Sequence, residues 1–530
     1  MMQPNEYEEK SGVRVKTYDS TATKEIAADC NLPDYLPDVN RLLRVSAKVT
    51  EFSKYLSGDL IEYDGRIRFD LLYATGAGEM RSMDYDTDFS GDLALSGASG
   101  DCEIRLEPQV SAVSCRLQNP RKLTAKAKLE FPVSVYCRVS TEPTVSGRLS
   151  AEERESLQYR RDPIESVRER LVEERNTPVS EDVELDPGMP AIAEIVSVEL
   201  MPSVADIRLF DGKAVYKGEV VADILYRAAS GEEETAPRYV AFLRRVPIYG
   251  EIASEQIGER CVAFASVETE HLEFRPQENA SGEARTVELD FDYSVHLRLF
   301  CNEPSEIVSD LYSPDYESEN TAETLSYETV LSGKAFNFSV DGSAPREDRD
   351  FDRIVSTGAT AKIDTAEKQG GKLVFTGTAT VSVVLENGAG VYLSRSFPVP
   401  FRAQAEVGRV GDAYSVLSDA LVLNVTSRLD ETQIHADLEL LIPFVIFEQH
   451  ERALVRESAV YPEKPLAHPA AASMTLYYPA AKDSLWEIAK RYGTTVAELT
   501  SANGISSDTV PAVMVIPKHT VPKTKARKLL

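Results

Sequence analysis

A chain of 530 residues exceeds what one hydrophobic core supports, so three or four domains are expected. Its composition, 42% hydrophobic and 27% charged, is that of folded globular protein and excludes disorder as the default. The net charge of −28 repels a phosphate backbone and excludes nucleic acid as a partner.

Taken in order, the N-terminal Met1 to Gly12 is polar and acidic and lacks the apolar core of a secretion signal. No stretch reaches the 18 apolar residues of a spanning helix. The longest candidate, Leu438 to Phe447, is broken by Glu439 and reads as a buried strand. These features predict a protein kept inside the cell with no membrane insertion. Cys30, Cys102, Cys115, Cys137, Cys261 and Cys301 have no paired spacing. They read as small core hydrophobes of a reducing compartment, not as a disulfide frame or a zinc site.

The chain repeats. At an ungapped offset of 153 residues Leu32 meets Leu185, Pro37 meets Pro190, Val39 meets Ile192, Leu42 meets Ile195 and Val45 meets Val198. The same offset aligns Tyr63-x-Gly65 with Tyr216-x-Gly218, and Tyr73 with Tyr226. A weaker third copy lies 159 residues further on, with Ile354-Val355, Phe375-x-Gly377 and Leu385, and it lacks the proline-led opening. Each copy closes on an alternating run: Leu123 to Val135, Val287 to Leu299, and Ile434 to Ile442. Period two over that length predicts antiparallel strands with one face buried, and Gly76, Gly78, Gly231 and Asn387-Gly388 supply hairpin turns.

The expected fold is therefore mainly β: three tandem antiparallel β-sandwich-like repeats at 1–150, 151–312 and 313–460. Between the first two, Ala151 to Thr177 carries Ile164, Val167, Leu171 and Val172 at helical spacing, which predicts a short amphipathic helix starting after Pro163. An acidic stretch from Ser313 to Thr324 leads to the third copy. A semi-stiff spacer at 461–474, with Pro462, Pro465, Pro469 and the run Ala467 to Ser473, precedes a terminal module at 475–518. The tail at 519–530 is basic; from Lys518 onward it carries five cations and no acid.

The terminal module has both helices marked. Ser484 and Glu487 form a capping box, Gly493 a left-handed stop, and Leu485, Ile488, Ala489 and Tyr492 one apolar face. Thr495 and Glu498 start a second helix that Asn503-Gly504 ends. Leu476-Tyr477-Tyr478 and Val513 to Ile516 flank the pair as strands, so the order is βααβ.

That order, with Tyr477, Asp483-Ser484-Leu485-Trp486, Ile488-Ala489, Tyr492-Gly493, Val496, Leu499, Asn503 and Ile516-Pro517, resembles the LysM module. The resemblance implies binding of N-acetylglucosamine chains of peptidoglycan or chitin, in a groove between the loop before the first helix and the loop after the second. Here the pattern's glycine before the aspartate is Lys482, the valine of its first strand is Pro479, and a second glycine is Pro511, which count against close approach of a sugar. Upstream, tandem domains opening with Asn31-Leu32-Pro33-Asp34-Tyr35-Leu36-Pro37-Asp38-Val39 and followed by an aromatic-x-Gly strand resemble the spore-coat-type (SPOCS) domains of clostridial spore formers. Several such domains before one LysM imply a scaffold of spore-coat assembly. Its LysM would dock a coat morphogenetic ATPase or another coat protein, or keep affinity for peptidoglycan glycan.

No catalytic constellation is visible. His271, His296, His435, His450, His468 and His519 show no metal-ligand spacing, and His296 and His435 fall on the solvent-facing phase of strands. Asp84-Tyr85-Asp86-Thr87-Asp88 opens like a calcium loop, but its sixth position is Phe89 and its twelfth Leu95, so it reads as a strand with acids outward. No enzyme, cofactor or metal is expected. Trp486, the only tryptophan, lies off the apolar stripe and is either an interface anchor or a cover for a small core. As an anchor, its rim is Lys482, Asp483 and Ser484 on one side and Asn503, Gly504, Ile505, Ser506 and Ser507 on the other.

Overall fold

The computed structural model describes residues 12–95, 101–229, 237–466, 474–480, 482–505 and 510–517. The acidic N-terminal stretch before Gly12, the Gly231 turn, the run Ala467 to Ser473, Ser506, Ser507 and the basic tail lie outside the described residues.

The alternating sequence folds as antiparallel sheet, with one short parallel pairing described below, and one order of connections recurs in three units. In each, a long strand enters a three-stranded meander, and the chain then returns to pair with that first strand. Unit one comprises β1 (Gly12–Asn31), the meander β2 (Val39–Ser57), β3 (Leu60–Thr75) and β4 (Met80–Ala94), and the return strands β5 (Cys102–Leu106), β6 (Gln109–Asn119) and β7 (Lys122–Ser140). A short β8 (Thr144–Ser146) and helix α1 (Ala151–Glu155) follow. Unit two has β9 (Gln158–Glu184), the meander β10 (Ile192–Phe210), β11 (Lys213–Ala228) and β12 (Tyr239–Ala253), and the return strands β13 (Val262–Glu278) and β14 (Ala284–Tyr312). Unit three has β15 (Tyr316–Pro345), the meander β16 (Phe351–Gln369), β17 (Lys372–Asn387) and β18 (Tyr392–Glu406), and the return strands β19 (Tyr414–Ser418), β20 (Leu421–Leu429) and β21 (Gln433–Pro465). The two sheets of each unit close on a core such as Phe69, Ala127, Leu129 and Phe131 in unit one. Its counterparts are Tyr216, Leu289, Phe291 and Val295 in unit two, and Phe375, Leu438, Leu440 and Phe444 in unit three.

The repeated motifs have physical causes. At Gly65, Gly218 and Gly377 a Cβ would lie 2.5, 2.1 and 2.3 Å from the carbonyl oxygens of Glu51, Ser203 and Lys362. Each carbonyl lies within two residues of a bulge in the preceding strand, and only glycine fits opposite it. Tyr73 and Tyr226 donate their hydroxyls to the carbonyls of Pro37 and Pro190 at 3.2 and 2.9 Å. Arg121 and Arg285 clamp the same two loops through the carbonyls of Pro33 and Met189. Unit three lacks the proline loop and has Leu385 where Tyr226 stands, so the loop and its hydroxyl clamp are absent together.

The units meet at two three-way junctions. Equivalent meander residues Leu43, Leu72 and Met80, Val196, Leu225 and Tyr239, and Val355, Val384 and Tyr392 form one buried cluster. Polar contacts run around it in a ring. Arg41 of unit one donates to the Tyr392 carbonyl of unit three at 2.8 Å, Arg353 of unit three donates to the Tyr239 carbonyl of unit two, and Glu194 of unit two pairs with Arg81 of unit one. The second junction gathers Phe300 and Phe447, with ring centroids 5.0 Å apart, around Val167, Phe264, Val330 and Val445. Tyr136, at the equivalent position of unit one, donates to Glu328 of unit three at 3.1 Å. In addition β8 pairs parallel to β21 at Glu457–Ala459, which ties the end of unit one to unit three.

Three sequence expectations are corrected. The segment after Pro163 is not helical. It lies in β9, which pairs with β14 from Gln158 to Glu184, and the one helix nearby is the five-residue α1. Val167 faces the second junction and Val172 the core of unit two, so residues serving two different contacts imitate a helical stripe. Pro163 is tolerated because β9 is an edge strand. The acidic stretch before unit three is largely the start of β15. Four of the six cysteines are paired, Cys102 with Cys137 and Cys261 with Cys301, while Cys30 and Cys115 are free. Strand pairing brings together residues 35 and 40 positions apart, a proximity that spacing cannot reveal.

Candidate functional site

The last module follows its sequence signals closely. Strand β22 (Met474–Tyr477) pairs with β23 (Met514–Pro517), and α2 (Leu485–Tyr492) and α3 (Val496–Asn503) lie between them. Ser484 caps α2 by accepting from the Glu487 N–H at 3.2 Å, though the reciprocal half of the expected box is not formed. Thr495 and Glu498 form the full box on α3. Gly493 and Gly504 end the two helices at φ 59° and 61°, the left-handed conformation that glycine adopts without strain. Leu485, Ile488, Ala489, Leu499, Met514 and Ile516 form the small core.

One member of that core comes from outside the module. Tyr312, the last residue of β14, is 2% exposed and packs among these side chains; its hydroxyl donates to the Thr494 carbonyl at 2.8 Å. Two residues earlier, Asp310 receives the Trp486 Nε1–H at 2.8 Å and the Lys490 ammonium at 2.7 Å. The Trp486 ring stands edge-on to Tyr312 with centroids 5.0 Å apart. Burial alone would raise the Asp310 carboxyl, but the Lys490 ammonium and the Trp486 N–H outweigh it and hold the group below the usual carboxylate range. Trp486 and Lys490, one turn apart on α2, therefore bolt the module to unit two.

The other anticipated rim residues divide by role. Asp483 accepts from the Tyr477 hydroxyl and from the Ala480 N–H at 2.9 Å, which braces the loop before α2. Asn503 donates to the carbonyls of Leu499 and Val515 and accepts from the Val515 N–H, joining α3 to β23. Ile505 packs against the core, and Lys482, Ser484 and Gly504 are exposed. Tyr478, next to the same loop, is 71% exposed. The contributions of Asp310 and Tyr312 were not anticipated; they lie more than 170 residues from their partners, and nothing local to them signals the contact.

Residues 480–516 match the family model described as LysM domain, and residues 38–118 match that described as SipL, SPOCS domain. The chain carries a SPOCS domain of the SipL type and a C-terminal LysM domain. The SPOCS match spans β2 to β6, and so includes the meander with its Tyr63-x-Gly65 motif. Both are binding domains; SPOCS links the chain to sporulation through SipL, and LysM links it to peptidoglycan. No curated protein and no solved structure matches the chain.

The remaining candidates resolve as structure. Asp84, Asp86 and Asp88 alternate along β4, and Asp86 and Asp88 pair with Arg68 and Arg66 of β3 at 2.8 and 2.9 Å. His296 is less exposed than its phase predicts, 19% at the side chain. It lies between Glu268 and Glu173, whose carboxylates hold the imidazole above its usual range. His435 pairs with Asp430 at 2.6 Å. Among the described residues no cluster of His, Cys, Asp and Glu is arranged to hold a metal ion, and no helix is long and apolar enough to cross a membrane.

Proposed function

We propose that this chain is a non-catalytic adaptor of spore-coat assembly, working in the mother-cell cytoplasm at the forespore surface. Its LysM domain docks a coat morphogenetic ATPase or another coat protein. Three SPOCS-like domains, at 1–150, 151–312 and 313–460, form the body that carries this head. The observation behind the reading is the Asp310 clamp on Trp486 and Lys490: it holds a small binding domain in one orientation on a body with two buried junctions. A fixed head loses less orientational freedom on docking than a tethered one, so weak contacts suffice. The residues assigned to docking are Lys482, Asp483 and Ser484 before α2 and Asn503, Gly504 and Ile505 at the end of α3, together with Ser506 and Ser507, which lie outside the described residues.

A second reading, binding of peptidoglycan glycan, is favoured by the LysM match and by Tyr478, an exposed aromatic of the kind on which sugar rings stack. The two separate in one pair of assays with the purified full chain. Co-elution with the coat ATPase and no co-sedimentation with purified peptidoglycan supports the adaptor. Sedimentation with peptidoglycan and no co-elution replaces it with the glycan binder.

A further inference from the structure

The two disulfides occupy equivalent places. Cys102 begins β5 and is bonded to Cys137 on the neighbouring β7; Cys261 immediately precedes β13 and is bonded to Cys301 on the neighbouring β14. Cys137 and Cys301 are buried, whereas Cys102 and Cys261 are half-buried and lie on the accessible side of each pair. In unit three the paired residues at this register are Tyr414 and Glu448. There the Glu448 carboxylate accepts the Gly411 N–H at 2.7 Å, a non-covalent tie in place of the sulfur bridge.

What each bridge holds is a joint between units. Three residues after Cys102, Arg105 pairs with Glu169 of unit two and lies 3.9 Å from the Tyr136 ring centroid and 5.4 Å from that of Phe300. Glu169 is held in turn by Arg298 at 2.6 Å. Three residues after Cys261, Phe264 is buried among Val330, Val445 and Phe447 of unit three. Beside it, Val262 fills the space over Gly333, where a Cβ would come within 2.3 Å. Three residues after Tyr414, Leu417 packs on the same cluster. Arg105, Phe264 and Leu417 are thus one position seen three times. In units one and two the strand that carries it is fastened by sulfur at its start.

We infer that Cys102–Cys137 and Cys261–Cys301 are redox-operated fasteners of the joints between units one and two and between units two and three, and that thiol–disulfide exchange sets how firmly the body holds together. The oxidant is a small-molecule disulfide. One cysteine thiolate attacks it and expels one small thiol, and the neighbouring cysteine then attacks the mixed disulfide and expels the second. In forming its bridge each cysteine pair gives up two protons and two electrons, and the small disulfide becomes two thiols. Reduction by a dithiol runs the same steps in reverse. Cys30 and Cys115 stay out of the exchange, because burial pushes both thiols up to about 11 and leaves almost no thiolate at neutral pH.

This inference does not depend on the proposed partner, and its test uses the full chain alone. Alkylation under denaturing conditions after exposure to oxidised glutathione should block two cysteines, Cys30 and Cys115; after dithiothreitol it should block all six. Hydrogen exchange of the native chain should then rise roughly tenfold on reduction over 102–106 and 262–265, the range of a local opening, while 414–418 stays unchanged. The Cys102→Ser/Cys137→Ser chain should show the faster exchange at 102–106 in either redox state and keep the response at 262–265. Four or more alkylatable cysteines in the glutathione-treated chain would overturn the inference. So would exchange at 102–106 and 262–265 that ignores reduction, or a rise at 414–418 equal to theirs.

Discussion

The Trp486 indole donates its one N–H to Asp310 at 2.8 Å, so the sole tryptophan of the chain is spent on fixing the LysM domain to the end of β14. A residue that reads from sequence as an interface anchor has first an internal task. The pair also supplies a built-in spectroscopic reporter of whether the head is seated.

Asp310→Ala should therefore shift the tryptophan emission to longer wavelength and increase its quenching by acrylamide, with the LysM helices intact by circular dichroism. Loss of the carboxylate that accepts the Trp486 N–H and the Lys490 ammonium should weaken docking by about 1.5–3 kcal/mol. Trp486→Ala should unseat the head in the same way. Any loss of partner capture in that variant therefore has to be compared with Asp310→Ala before it is assigned to direct contact.

Asp223 sets a pH dependence. It is 7% exposed, with the Arg44 guanidinium 3.9 Å away as its ion-pair partner. Burial pushes its carboxyl up to about 7 against the opposing pull of Arg44, and burial pushes Asp70 up to about 6. A folded-state value above the unfolded one means that the folded chain binds the extra proton. Stability from these two groups is then fullest below about pH 4 and is lost as pH rises toward 7. Asp223→Asn should flatten the fall between pH 4 and 7 and raise the melting temperature at pH 8, read by thermal scans across that range. The exposed pairs act in the opposite direction at lower pH: Arg275 holds Glu288 down at about 2, and stability from that pair fades as acid protonates it.

Gly218→Ala should cost about 3 kcal/mol or more, because the added Cβ would lie 2.1 Å from the Ser203 carbonyl oxygen inside a paired meander. Gly388→Ala is the control. Nothing lies within 4 Å of its added carbon and its φ is not positive, so chemical denaturation should find it within about 0.5 kcal/mol of the parent.

Tyr226→Phe should destabilise unit two by about 1 kcal/mol through loss of the bond to the Pro190 carbonyl. Urea titration of this variant against the parent chain measures the loss.

What could be read in advance follows from the range of the interactions. Strands with one buried face declare themselves every second residue, and the LysM caps are local contacts three residues apart, so both were legible. The Tyr73 to Pro37 and Tyr226 to Pro190 clamps were visible as paired matches at one offset, before their hydrogen bonds gave the cause. Contacts made by the return of the chain were not legible. Cys102 meets Cys137 because β5 pairs with β7, and Asp310 meets Trp486 because the LysM domain packs on the end of β14. The segment after Pro163 misled for a related reason. Ile164, Val167 and Val172 serve three separate clusters, and residues recruited to different neighbours need not keep the period of their own strand.

Co-purification from sporulating cells decides whether the molecule works by presenting its LysM head to a coat protein. The full chain is compared with a chain ending at Leu466. The coat ATPase should be recovered with the full chain and lost with the shortened one, while the shortened body keeps its sheet signal and cooperative melting. Recovery of the same ATPase by the chain that lacks the head would contradict it.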